Sequence, residues 1–450
     1  MGRRPTALAL GALVLLSACS SGGHVEFETR AAVAAQEAGA AGGPATPTGP
    51  AVSGGLLPGS PGAGAAAGAR AAAAKAAAAA GTGAGSVIKL GTVLPLEGGQ
   101  RTLGEPVLRA TQAYIDEVNA RGGVGGHRLQ LIAYSACVVC QDDALQAVRR
   151  LVEQDGVFAL VNTYPMVVAF QPVIGYLVQK GVPLVQGGAE NQTTDALSPV
   201  NFGTLPTGLF YVRFLSVMAT QFEHMKRVGI TYINVPSEAN GIPAIERELN
   251  RMGVQVVDKE PVAAQEDAVT NMDSVVTRMR ASGADGVIGT NPAVLIFGRL
   301  AASRQGWQAH WVGEAAWSTL VETGCGTTCD DVVLTDTAGL SYIDRDSPQM
   351  HQYLDTMARR YPGGEISGLT LAAWVGMQLT SELLMRSGPD RVAFIRTLEA
   401  TKNLDLGTTA PLTFSPDRHL GGTATQLLRL KGGKYIRVSE ALSYGEAAPS

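Results

Sequence analysis

Cys137 and Cys140, in Ser135-Ala-Cys-Val-Val-Cys-Gln-Asp-Asp143, have a spacing that suits three chemistries. A Cys-x-x-Cys can cycle between dithiol and disulfide, supply half of a metal site, or staple a turn. A metal site needs more thiolates, and Cys325 and Cys329 in Gly324-Cys-Gly-Thr-Thr-Cys-Asp330 have a permitted spacing for the second half. Other catalytic signatures are missing from the sequence. No Gly-x-Gly-x-x-Gly follows the first apolar run, where Leu96-Glu-Gly-Gly-Gln100 stands, and there is neither a Gly-x-x-x-x-Gly-Lys-Ser/Thr loop nor a Gly-x-Ser-x-Gly elbow. The six histidines (His24, His127, His224, His310, His351 and His419) are scattered, with no pair at metal-ligand spacing. These absences argue against an enzyme, no cofactor is expected, and the role of the cysteines depends on where the chain resides.

The N-terminus speaks to residence. Arg3-Arg4 precedes an apolar run from Pro5 to Ala18 that closes in Leu16-Ser-Ala-Cys19. A short basic region, an apolar core and small residues before the cut describe a secretory signal over residues 1–18. The run is shorter than the roughly 20 residues a spanning helix takes. The ending resembles the bacterial lipobox, which implies that Cys19 is lipidated and becomes the mature N-terminus. Residues 19–86 then read as the lipidated cysteine followed by a tether rich in Ala, Gly and Pro. Such a composition buries too little apolar surface to offset its ordering entropy. As a flexible chain it reaches about 40–50 Å. The expected location is the extracytoplasmic face of a bacterial cell membrane, held there by lipid, where disulfides persist. The net charge of −4 becomes −6 without Arg3 and Arg4, which gives no basic surface for nucleic acid.

From Val87 onward, apolar runs of strand length alternate with helical patterns. Strands are expected at Val87–Val93, Arg128–Tyr134, Phe158–Thr163 and Pro183–Gly188, with helices at Gly104–Asn119, Gln141–Gln154 and Val167–Gln179 between them. A second series follows. Its helices are Leu209–Lys226, Gly241–Met252, Met272–Ala281 and Ala293–Arg304, and its strands are Val228–Asn234, Val254–Val257, Gly286–Thr290 and Trp311–Gly313. The strands are near-continuous Val, Ile, Leu and Ala, as in parallel sheets covered on both faces. Two series of βα units imply an α/β protein of two doubly wound parallel-sheet lobes. Three more helices (Gln349–Tyr361, Leu369–Arg386, Arg391–Thr401) precede short strands at Leu412–Phe414 and within Thr425–Val438, the latter turning at Lys431-Gly-Gly-Lys434.

Specific residues then point to a family. Lys89-Leu-Gly-Thr-Val-Leu-Pro95, Leu103-Gly104, the helix ending in Asn119-Ala-Arg-Gly-Gly-Val-Gly-Gly126, and Gln141-Asp-Asp-Ala144 after Cys137 occur in an order that resembles the branched-chain amino-acid-binding (leucine/isoleucine/valine-binding) proteins. Those are type I periplasmic-binding-fold receptors of ABC importers. The resemblance covers roughly 350 residues and implies two lobes, a hinge and an interlobe cleft. Lobe 1 would be 87–206 plus 314–408, lobe 2 would be 207–313 plus 409–440, and 441–450 a tail. It implies a small-molecule ligand trapped in the cleft and delivered to ABC permease subunits. A ligand-sensing or accessory surface lipoprotein of the same fold is the competing reading, and a purely structural surface protein a third.

Carried over one by one, the family's ligand positions fall on Leu103 of the opening loop, Thr163 and Tyr164 after the third strand, and Gly188, Ala189 and Glu190 after the fourth. In the second lobe they fall on Asn240, on Asn291, and on Glu314 with Trp317. The sequence departs from the family in several of these. Asn240 and Asn291 stand at aromatic positions, Glu190 stands at a hydroxyl position, and Glu314 lies one residue early for the acid that holds a ligand ammonium. Complementarity to a zwitterionic amino acid is half preserved, so the expected ligand is a small polar or amino-acid-like solute. The family's Cys at the Cys137 position pairs with one in the loop after the third strand. Here that loop, Asn162–Met166, has no Cys, which makes Cys140 the local replacement and Cys325–Cys329 a second small loop. Four cysteines allow three connectivities, and the sequence does not choose among them.

Overall fold

A computed structural model describes residues 85–137, 140–163, 170–187, 198–204, 209–234, 236–263, 272–313, 320–336, 343 and 346–443. Cys19 and the expected signal and tether lie outside this range.

The first sheet holds β1 (Val87–Leu94), β2 (Arg128–Ser135), β3 (Ala159–Val161), β4 (Leu184–Val185) and β5 (Asn201–Phe202), all parallel, in the order β2-β1-β3-β4-β5. The second holds β6 (Arg227–Ile233), β7 (Gln255–Val262), β8 (Gly286–Gly289), β9 (His310–Gly313) and β10 (Val333–Thr335) in the parallel order β7-β6-β8-β9-β10. Read by position, both sheets repeat one winding, second-first-third-fourth-fifth. An antiparallel hairpin, β12 (Leu427–Lys431) and β13 (Lys434–Arg437), extends the second sheet beyond β10 and turns at Gly432-Gly433. The strands β11 (Ala424–Thr425) and β14 (Leu442–Ser443) form a separate small pair.

Helices connect the strands. In the first lobe they are α1 (Arg101–Ala120), α2 (Gln141–Glu153) and α3 (Phe170–Lys180). In the second they are α4 (Leu209–Val217), α5 (Pro236–Ala239), α6 (Ile242–Arg251), α7 (Met272–Ala281), α8 (Pro292–Arg304) and α9 (Leu320–Cys325). Then follow α10 (Pro348–Arg360), α11 (Gly368–Ser387) and α12 (Arg391–Ala400). Local sequence sets their ends. Ser367 and Thr370 form a reciprocal capping box at the start of α11. After α1 the chain stops at Gly122-Gly123. Gly123, at φ +83°, donates its N–H to Val118 O, and a Cβ there would stand 2.0 Å from His127 O. Asn119 then brackets Leu129, donating to its carbonyl and accepting its N–H, both at 2.8 Å. The Asn-Ala-Arg-Gly-Gly motif is thus a complete helix-to-strand connector.

One continuous apolar core unites the first sheet with α10, α11 and α12 and reaches Leu412 and Phe414. Its centre is Trp374, fully buried, with Tyr114 and Tyr353 edge-on at 5.0 and 5.5 Å between ring centroids. Two further clusters cover the faces of the second sheet and include Cys325, Cys329 and Leu334. The expected division therefore changes at two places. Residues 320–335 pair and pack with the second sheet, not with lobe 1, because β10 lies beside β9. Leu412 and Phe414 belong to the first core, and Leu412 makes a single bridge to Leu404 in place of an expected strand. The strand expected at Val254–Val257 runs on to Val262, and the helix from Leu209 becomes a π turn at Met218–Phe222. The short β5, α9 and β10 have no counterpart in the sequence reading.

Candidate functional site

Three chain crossings join the lobes: residues 203–209, 336–347 and 421–427. A helix in a βαβ unit runs antiparallel to its strands, so the first crossing leaves the C-terminal end of β5 and enters α4 at the C-terminal edge of the second sheet. The second leaves the C-terminal end of β10 and leads to α10, which runs antiparallel to α1, with Arg360 at Asp116 and Tyr361 at Arg109. The third enters β12, antiparallel to β10, at the C-terminal edge of the second sheet. The crossings are tied to one another. Gly203 donates to His419 O at 3.0 Å and accepts from Gly421 N at 2.8 Å. Asp336 donates to Gln426 O at 2.9 Å and accepts from Thr425 Oγ1 at 3.0 Å. The first and third crossings therefore join the strand C-terminal edges, where doubly wound sheets bind ligands, and the start of the second is tied to the third there.

Within each edge the winding reverses at one seam, between β1 and β3 in the first sheet and between β6 and β8 in the second. In the first seam, Thr92 Oγ1 lies 3.4 Å from Asn162 O. Asn162 and Gln186 end β3 and β4 in the left-handed backbone region, at φ +53° and +58°, and Thr163, which follows Asn162, is buried. Leu103 is half-buried in the first turn of α1. Cys137 and Cys140 stand between β2 and α2, their sulfurs at bonding distance and their Cα atoms 5.0 Å apart. Cys325 and Cys329 are placed likewise in the other lobe, with Cα atoms 5.5 Å apart. The four thiols are thus held as two local pairs, and no four-thiolate site is formed. Among the described residues no group of three or more His, Cys, Asp or Glu could hold a metal ion.

The second seam holds a residue that sequence reasoning missed. Glu238, on α5 just after β6, is 2% exposed. Its Oε2 accepts the Ile233 N–H at 2.9 Å and the Thr290 hydroxyl at 2.8 Å, and its Oε1 accepts from Asn291 Nδ2 at 3.2 Å. All three donors are neutral. Burial pushes its carboxyl up to about 7, against the opposing pull of those hydrogen bonds. The only sequence signal was its place, a few residues beyond the end of the strand that starts the second winding.

Of the expected ligand residues, Thr163 and Leu103 lie at the first edge, and Asn240 and Asn291 at the second. Asn240 is exposed in the turn between α5 and α6. Asn291 is engaged as the N-cap of α8, its Oδ1 accepting from Ala293 N at 2.9 Å while its amide serves Glu238. It thereby shapes the wall as a helix cap. Tyr164, Gly188, Ala189, Glu190, Glu314 and Trp317 lie outside the described residues.

Two sheets of one winding, with crossings between them that are tied together at the strand C-terminal edges, define a two-lobed ligand-binding protein of the type I periplasmic-binding fold. The chain belongs to the periplasmic binding protein family, whose model matches residues 87–434. It is 23% identical over 345 residues to Leu/Ile/Val-binding protein homolog 7 of Brucella suis biovar 1 (strain 1330), covering 72% of this chain and 83% of that protein. Homolog 8 of Brucella abortus (strain 2308) is 24% identical over 350 residues, covering 71% and 81%. Among solved structures, the branched-chain amino acid transporter substrate binding protein LivJ from Streptococcus pneumoniae, in complex with isoleucine, superposes with a TM-score of 0.68 at 18% identity, covering 79% of this chain and 99% of that one. A solute binding protein of an ABC transporter from R. palustris, in complex with 4-hydroxybenzoate, also gives 0.68 at 18% identity, covering 79% and 97%. Family membership makes this chain a solute-binding protein, and no enzyme.

Proposed function

We propose that the chain is a lipid-anchored extracytoplasmic receptor that traps a small polar or amino-acid-like solute between its lobes and delivers it to an ABC permease. The observation that carries this reading is the pairing of the two seams, each at a strand C-terminal edge, across crossings that tie those edges together. Closure about such crossings encloses a ligand. The lipobox-like Leu16-Ser-Ala-Cys19 and the residues up to 86 supply the anchor and the reach. The relatives' names and the isoleucine and 4-hydroxybenzoate complexes support a small carboxylate-bearing or zwitterionic solute.

On this reading the first lobe presents Thr163, Tyr164, Gly188 and Ala189, with Leu103 at the rim. Glu314 holds a cationic group of the ligand, Trp317 gives an apolar wall, and Glu190 disfavours a bare carboxylate near it. Thermal shift and calorimetry against amino acids, amides, polyols and 4-hydroxybenzoate test this. A member that raises the melting temperature of the wild type, with that rise lost in Glu314→Ala, is expected. A panel without binders would sink the ligand class. Binding unaffected by Glu314→Ala would remove that residue from the site.

A further inference from the structure

Asn162 and Gln186 occupy equivalent places on adjacent strands, and both are non-glycine residues in the left-handed region, at φ +53° and +58°. Asparagine tolerates that region moderately and glutamine poorly, so such backbone persists only where its surroundings over-determine it. Here the two side chains supply the determinant, and both point to one helix. Asn162 Nδ2 donates to Ala373 O at 3.0 Å and to Thr111 Oγ1 of α1 at 2.8 Å. Gln186 Nε2 donates to Ala372 O at 3.1 Å, and its Oε1 accepts from Thr204 N, the start of the first crossing, at 2.7 Å. The two acceptor carbonyls are consecutive in α11. Both amide residues are fully buried.

The helix has made room for them. A Cβ on Gly376 would stand 2.3 Å from Asn162 Oδ1 and 2.4 Å from Gln186 Cγ. Glycine inside a helix is disfavoured relative to alanine, so its presence in a fully buried stretch of α11 calls for such a packing reason. One glycine thus receives both side chains.

We propose that Asn162 and Gln186 are a pair of positioning residues that register Thr163 and Gly187, the residues that follow β3 and β4, on the single helix α11, with Gly376 as their common seat. The proposal rests on the reading of the segments after Asn162 and Gln186 as ligand-facing. Left-handed backbone at each strand end turns the next residue, Thr163 or Gly187, away from the line of the sheet. The amide-to-helix bonds hold the turn at a fixed height. Because the carbonyls are adjacent, a displacement of α11 moves Thr163 and Gly187 together. Gln186 also holds Thr204, which couples the end of β4 to the start of an interlobe crossing.

The test uses the full-length chain and the variants Gly376→Ala, Asn162→Ala, Asn162→Gly and Gln186→Gly. Backbone amide resonances of Thr163 and Gly187 are read by NMR, and binding is read with whichever of L-leucine, L-isoleucine, L-glutamine and 4-hydroxybenzoate shifts the wild-type melting temperature most. Gly376→Ala is expected to move both resonances and to weaken probe binding about tenfold, close to 1.4 kcal/mol. Asn162→Gly, which tolerates the left-handed backbone, is expected to keep the Thr163 resonance nearer its wild-type position than Asn162→Ala. A folded Gly376→Ala that moves neither resonance, or only one, overturns the pairing. If Gly376→Ala fails to fold, the cross effects decide instead: an Asn162→Ala that leaves the Gly187 resonance in place, together with a Gln186→Gly that leaves that of Thr163 in place, overturns the pairing. Should no probe bind the wild type, the proposed ligand class falls while the resonances still decide the positioning.

Discussion

Thr290 Oγ1 donates to Glu238 Oε2 at 2.8 Å, a bond that spans the seam between β6 and β8 where the second sheet reverses its winding. It places a carboxyl inside the wall of the candidate site with neutral donors as its hydrogen-bond partners.

The consequence is a stability that falls as pH rises. In the unfolded chain Glu238 titrates near the usual glutamate value of about 4.3. In the fold burial holds it up to about 7. Between those values the native state binds the proton and the unfolded state does not, so unfolding free energy decreases with pH. The stabilisation is full below about pH 4.3 and is lost as pH rises through about 7, an effect of roughly 4 kcal/mol at most. Thermal melts of wild type and Glu238→Gln from pH 4.5 to 8 isolate it. The difference between the two proteins should change steeply up to pH 7 and level off above. A constant difference would mean that the carboxyl titrates normally.

Trp374 sits at the meeting point of α1, α10 and α11, fully buried, between Tyr114 and Tyr353. Truncation leaves a cavity that the two tyrosine rings cannot close without losing their edge-on packing. Trp374→Ala is expected to cost about 3–5 kcal/mol, and Trp374→Phe clearly less. Urea unfolding at a constant m-value reads both. A cost below about 1 kcal/mol for the alanine would show that the three helices do not share this core.

Asn119 tests the connector that the sequence made most visible. Its side chain satisfies both backbone groups of Leu129, and the site is partly buried. Asn119→Ala leaves those groups without these partners and is expected to destabilise by about 1–3 kcal/mol. Asn119→Asp, which can still accept the Leu129 N–H, should lie between. Equal stability of all three forms by chemical denaturation would reduce the motif to a plain turn.

That motif also shows what a sequence reveals and what it hides. Long strands with eight paired residues, such as β1 and β2, announce themselves through runs rich in Val, Ile and Leu, and Gly-Gly after Asn119 marks the turn between α1 and β2. The two series of βα units were legible for the same reason. Strands of two or three residues such as β5 and β10 have few positions for a pattern to register, so residues 320–335 looked like part of the first lobe although β10 completes the second winding. The site was legible only as loops. Thr163 and Asn291 were visible by position, and Asn291's cap is a local bond to Ala293, two residues on. Glu238's engagement instead depends on a contact with Asn291, 53 residues away. No local pattern encodes such a contact.

The cysteine pairs differ in burial, and their chemistry should follow. Cys329 is fully buried and Cys325 nearly so, beneath α8, whereas Cys137 and Cys140 are half-buried at the start of α2. Each pair closes a very short loop, with sequence separations of 3 and 4. The constraint on the unfolded chain is correspondingly small, about 2 kcal/mol for each bond. Alkylation of the denatured, unreduced protein followed by intact mass is expected to label none of the four. Under native conditions a mild reductant should open Cys137–Cys140 first, because a thiolate must reach the sulfur it attacks. Peptide mapping after timed alkylation distinguishes the order. Labelling of Cys325 and Cys329 ahead of Cys137 and Cys140 would contradict the burial difference. Four labelled cysteines in the unreduced protein would leave both turns held by backbone alone, with Cys140 N–H donating to Cys137 O at 3.1 Å as the remaining clasp of the first.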